Sequence, residues 1–89
     1  MDEKLTLNNG TVLENSIAIL SGNLFLYIRG KTMKAVFNLL SVRKNVETIV
    51  YTQVNGEDLT FSGFTKLTAV SDEGNGLITA VLRRVMDNG

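Results

Sequence analysis

The chain has no histidine, no cysteine, no tryptophan and no proline in 89 residues. Without histidine it lacks the side chain whose ordinary pKa lies near neutral pH, the usual general base and a common metal ligand. Without cysteine it has no thiolate nucleophile, no thiolate metal site and no disulfide to supplement a small core. Cysteine usage therefore says nothing about redox compartment. Charge of one sign is lacking too: nine basic residues balance nine acidic ones, so no global field points toward nucleic acid. No apolar run approaches the ~18 residues of a membrane-spanning helix. The opening Met1-Asp2-Glu3-Lys4 is acidic and leads into alternating residues, so no signal peptide is expected.

What is present is a run of glycine-centred turns between apolar segments. At 89 residues and 9.8 kDa the chain predicts one domain, 1–89. Such a chain buries roughly 60–65% of its unfolded surface. An apolar share of 44% supports a globular fold. Leu5 and Leu7 alternate before Asn9-Gly10, and Thr11-Val12-Leu13 follow, which predicts a short hairpin with a type I′ turn. Ser16–Leu20 and Leu24–Ile28 flank Ser21-Gly22-Asn23. Leu24, Leu26 and Ile28 share one face of the second strand while Phe25 and Tyr27 share the other, so both faces are apolar and the strand reads as central or covered on both sides.

Gly30 ends that strand. Thr32 is a plausible N-cap, and Met33, Val36, Phe37 and Leu40 recur at helical spacing. One helix over 32–41 is predicted, with Phe37 at the centre of its core-facing stripe. At about ten residues it is too short to be stable alone and must dock on a sheet. Val46–Val54, Asp58–Ser62, Phe64–Ser71 and Leu77–Val85 read as strands. Asn55-Gly56 turns the first pair, again as type I′. Asp72-Glu73-Gly74-Asn75-Gly76 reads as a polar loop between the second pair, Gly63 as a bend, and residues 86–89 as a frayed end. No internal repeat stands out. The fold class is α+β, mostly β: a bent antiparallel sheet or partly open barrel with one short helix on a side or end.

No motif commits the chain to catalysis, a cofactor or a metal. Gly30-Lys31-Thr32 resembles the end of a P-loop, but that motif needs glycine at position 25, where Phe25 stands. Asn9-Gly10-Thr11 is a formal glycosylation sequon inside a predicted tight turn. Asp72, Glu73 and Asn75 lack the alternating ligands and terminal glutamate of an EF-hand. Glu57-Asp58 reads as a solvated pair beside a turn, without an acid–base partner. An enzyme restricted to carboxylate, Lys, Ser and Tyr groups is the least supported class.

The charge layout is more telling. Between Asn15 and Val46 lie five basic residues, Arg29, Lys31, Lys34, Arg43 and Lys44, and no acid. They bracket the helix and are the candidate partner-binding face, fit for an acidic protein. A nucleic-acid reading is weak because the aromatics do not form an interleaved stacking platform. Arg83 and Arg84 sit in the last strand on opposite faces and are the candidate self-association pair, facing acids such as Glu57 or Asp58 of a neighbouring copy.

The segments LTLNNGTVL, LFLYIRG, MKAVFNLL and ETIVYTQVNGEDLTFSGFTKLTAVSDEGNGLITAVLRR together resemble small proteins encoded in phages and prophages of gut Firmicutes. Gly56–Arg84 carries most of the likeness, which spans most of the chain and brings no functional residues with it. Such genes often lie among tail or head–tail genes. The resemblance implies a non-enzymatic structural or assembly protein, in the bacterial host's cytoplasm or in the virion, that binds itself or another virion protein. The alternative is a small inhibitor or modulator that binds a host protein. No membrane partner is implied.

Overall fold

In the computed structural model, residues 2–8, 10–41 and 48–84 are described. Four strands precede one helix and four follow it: β1 (Lys4–Thr6), β2 (Val12–Glu14), β3 (Ile17–Ser21), β4 (Asn23–Arg29), α1 (Met33–Ser41), β5 (Thr48–Thr52), β6 (Asp58–Ser62), β7 (Phe64–Gly74) and β8 (Leu77–Arg84). They form two four-stranded antiparallel sheets rather than a closed barrel. Sheet A has the order β2-β1-β5-β6 and sheet B the order β3-β4-β8-β7. The predicted Val46 start of the fifth strand, the Val85 end of the eighth and the frayed 86–89 lie outside the described residues.

Besides the passage across α1 from β4 to β5, the chain changes sheets at two corners of positive φ. Asn15, at φ 55°, lies between β2 and β3, and Gly63, at φ 84°, between β6 and β7. The first corner is tied by Ser16, which is fully buried. Its hydroxyl donates to the Glu14 carbonyl at 3.0 Å and accepts from the Arg29 N–H at 3.3 Å. The second is packed by rings: Phe61 of β6 meets Phe64 of β7 edge-on at 6.4 Å between centroids, and the Arg84 guanidinium lies 4.8 Å over Phe64.

The turns differ from the sequence expectation. At Asn55-Gly56 only Gly56 has positive φ, at 88°. The Gly56 N–H donates to the Gln53 carbonyl at 2.9 Å, and the Gln53 N–H to the Glu57 carbonyl at 2.8 Å. This is a three-residue loop with its glycine in the left-handed position, not a two-residue type I′ turn. The first hairpin closes the same way, from Gly10 to Leu7 and from Leu7 to Thr11; Asn9 lies outside the described residues. The backbone that type I′ requires occurs instead at Asn75 (φ 56°) and Gly76 (φ 77°). Strand β7 thus runs through the expected polar loop to Gly74, and Asp72 Oδ1 accepts the Gly74 N–H at 2.9 Å.

Helix α1 begins as its cap predicts: the Ala35 N–H donates to Thr32 Oγ1 at 3.1 Å, and Val36 N–H to the Thr32 carbonyl at 3.0 Å. It lies against β7 and β8. Val36 and Leu40 are buried, but Phe37 is 54% exposed and Met33 45%. Phe37 is therefore not the centre of the core stripe. The Val36–Leu40 pair faces the sheet, and one residue further on is about 100° around the helix, which carries Phe37 past the edge strand β7.

The two halves repeat one plan. Each is two hairpins, β1–β2 with β3–β4 and β5–β6 with β7–β8. The first hairpin of each half joins sheet A and the second joins sheet B. The halves meet antiparallel, β1 on β5 and β4 on β8, with Leu5 opposite Tyr51 and Leu26 opposite Ala80. Thr6, Asn9, Gly10 and Leu13 recur at the same spacing as Thr52, Asn55, Gly56 and Leu59. A two-fold plan therefore underlies a chain in which no repeat was apparent; few identities accompany it because a strand position demands only apolar or polar character.

Candidate interaction surface

Register assigns every strand residue to a face, since directly opposed residues share one. On sheet A, Leu5, Leu13, Ile49, Tyr51 and Phe61 point to the core. The opposite face is mostly polar, carrying Thr6, Thr48, the buried Thr52, Thr60 and Ser62, with Val12 and Val50 among them. On sheet B, Ala18, Leu24, Leu26, Ile28, Ile78, Ala80 and Leu82 form the buried face. Sheet A, through contacts of β2 with β4 and of β1 and β5 with β3, and α1, through β7 and β8, pack with sheet B.

The other face of sheet B is different. Two rows cross its four strands: Ile17, Tyr27, Thr79 and Ser71, then Ile19, Phe25, Val81 and Ala69. None of the apolar side chains among them packs against the core cluster, and Ile19 is 47% exposed. Ile17, Phe25, Tyr27 and Val81 are half-buried, and Ala69 at the β7 edge borders a groove beside α1. The expectation that the strand around Phe25 is central or covered on both sides holds in its first form, since β4 lies between β3 and β8. At the ends of the rows stand Arg29 beside Leu77, and Arg83 opposite Lys66. No acid has a register position on this face; Glu73 lies in a bulge of β7 without a partner.

The predicted site residues separate accordingly. Arg29 and Arg83 belong to the open face of sheet B. Arg84 points the other way and is engaged with Phe64. Lys34 lies on the helix and lines an apolar groove of about 510 Å³ with Met33, Phe37, Thr68, Ala69 and Val70. Lys31 is exposed ahead of the helix. Arg43 and Lys44 lie outside the described residues. Sequence reasoning missed Lys66, because bulges shift the alternation of β7 between Phe64 and Lys66 and between Leu67 and Ala69. It missed the groove because Phe37 read as core.

Chemistry on the rest of the surface is sparse. Among the described residues there is no group of three metal-binding side chains. The Tyr51 hydroxyl donates to the Glu3 carboxylate. Partial burial, that hydrogen bond and the carboxylate charge push the phenol up to about 12, away from any role as a base near neutrality. No described helix is long and apolar enough to cross a membrane. Comparison with protein-family models, with curated proteins and with solved structures finds no match.

Proposed function

We propose that the chain is a non-enzymatic interaction module that assembles with further copies of itself, as a phage or prophage structural or assembly protein does, in the host cytoplasm and then the virion. One observation supports this reading above the others: the outer face of sheet B places Ile17, Ile19, Phe25, Tyr27 and Val81 side by side, Ile19 exposed and the others half-buried, and among the described residues none of them packs against the core cluster. Contiguous apolar surface of this kind on a small protein marks an interaction site. The phage assignment rests on the sequence resemblance alone.

Light scattering on a size-exclusion column tests the assembly. The expected result is a mass above the 9.8 kDa of one chain, rising with concentration. A monomer from micromolar to millimolar concentration would refute it. Co-sedimentation with purified virions tests the structural role.

The groove beside α1 favours a second reading, a modulator docked on a host protein. Met33 and Phe37 are exposed there beside Lys34, and with Lys31 they suit an apolar segment bearing acids. For this reading, Phe37→Ser and Lys34→Ser abolish host-protein binding while leaving self-association intact.

A further inference from the structure

The chain's charges balance in number but not in space. The sheet A portions, residues 2–14 and 48–62, hold Asp2, Glu3, Glu14, Glu57 and Asp58 against Lys4 alone. The sheet B and helix portions, residues 15–41 and 63–84, hold Arg29, Lys31, Lys34, Lys66, Arg83 and Arg84 against Asp72 and Glu73. A chain of zero net charge is thus acidic on one sheet and basic on the other.

The acidic sheet carries exposed apolar groups at Val12 of β2 and, as a pair beside carboxylates, at the β5–β6 hairpin. Val54 is 61% exposed and Leu59 44%, flanking the exposed Glu57 and Asp58. The tip is held in shape: Asn55 Oδ1 accepts the Glu57 N–H at 2.9 Å, and Asp58 accepts the Thr52 hydroxyl at 2.8 Å. It presents apolar groups and carboxylates together. The open face of sheet B presents apolar groups and cations together.

From this complementarity we infer that self-assembly is head-to-tail: the β5–β6 hairpin of one copy docks on the open face of sheet B of the next. The inference rests on the self-assembly reading above and specifies its contact. A symmetric pair joined face to face would set Arg29, Lys66 and Arg83 of one copy near the same cations of the other, and like charges brought together disfavour the contact. The face is also small. Four strands at ~4.8 Å spacing and seven residues at ~3.3 Å rise span roughly 19 by 23 Å. That is about half of the ~800 Å² per partner in a stable pairwise interface. A head-to-tail contact uses two different surfaces of each copy, so every interior copy buries both. Such contacts close into a ring or extend as a filament.

Two variants that replace apolar and charged groups by serine test the geometry. The face variant is Phe25→Ser, Arg29→Ser, Arg83→Ser. The tip variant is Val54→Ser, Glu57→Ser, which leaves the Asp58–Thr52 bond in place. Circular dichroism and urea titration confirm that each folds. Head-to-tail assembly makes each variant monomeric alone. An equimolar mixture then forms a one-to-one pair, because the native tip of the face variant meets the native face of the tip variant. A tip variant that associates as wild type does would overturn the inference and leave self-assembly standing. A face variant that does so would remove the open face as the contact. Wild type that is monomeric at every concentration would end both.

Salt gives a readout that needs no variant. Contact between oppositely charged surfaces weakens as ionic strength rises. We expect wild-type association to fall about tenfold or more between low salt and ~0.5 M. Association that salt strengthens would overturn the inference.

Discussion

Substitution of two helix residues by alanine should rank them against their size. Leu40 is 7% exposed and sits in the core cluster with Val36. Leu40→Ala removes buried methyl groups and leaves a cavity, a change that costs about 2–5 kcal/mol. Leucine and alanine have similar helix propensity, so little is returned. Phe37 is larger but 54% exposed. A fully covered Phe buries roughly 200 Å², so Phe37 covers roughly 90 Å², worth about 2 kcal/mol at ~25 cal/mol/Å². Allowing for a compact unfolded chain and the better helix propensity of alanine, ~0.5 kcal/mol, Phe37→Ala should cost about 1 kcal/mol. At roughly 0.05–0.15 kcal/mol per residue, a chain of this length has about 4–13 kcal/mol in total. Leu40→Ala therefore threatens the fold and Phe37→Ala does not. Urea titration followed by circular dichroism, with slopes compared between variants, measures both. A Phe37→Ala loss equal to or greater than that of Leu40→Ala would show that α1 is rotated about its axis to turn Phe37, not Leu40, toward the sheet.

Two further outcomes follow from single sites. A Cβ at Gly63 would lie 3.5 Å from Arg84 Cγ, an ordinary contact, while φ there is +84°. Gly63→Ala should thus cost about 1–2 kcal/mol through the backbone, and Gly63→Asn less, since asparagine tolerates positive φ better; a larger loss for Asn would indict crowding against Arg84 instead. For Tyr51, the folded pKa near 12 exceeds the ordinary 10.0. Its contribution to stability is therefore complete below pH 10 and lost as pH rises through 12. Tyr51→Phe should flatten the alkaline fall of the urea midpoint relative to wild type, and parallel curves for the two proteins would show that the Glu3 contact is absent in solution.

Sequence pattern was sufficient for the helix cap, the order of the elements and the bounds of β6. Thr32 capped the helix as expected, the four-helix-four order of strands held, and β6 matched the expected 58–62. Phe37 was misplaced because helical periodicity marks a broad apolar stripe, and only tertiary packing selects which edge of it meets the sheet. The loop at Asn55-Gly56 escaped because the same dipeptide suits two- and three-residue turns, and the closing bond at Gln53–Glu57 chooses between them. Lys66 escaped because each bulge in β7 reverses the face of every later residue. The open face itself was legible only as strands apolar on both sides; sequence did not say which side would meet the core.

The interleaving of hairpins has a consequence for how the molecule holds together. Each sheet takes one hairpin from either side of α1, so neither half completes a sheet on its own. The protein is in effect a complex of its own two halves, with the segment that contains α1 joining them. The tether sets the effective concentration at which β1 meets β5 and β4 meets β8. Cut there, the chain would become two partners whose reunion depends on dilution, and stability would turn from a property of the molecule into one of the solution. Both central pairings wait on that encounter, which places this domain among those whose folding rate is limited by distant contacts rather than by its turns.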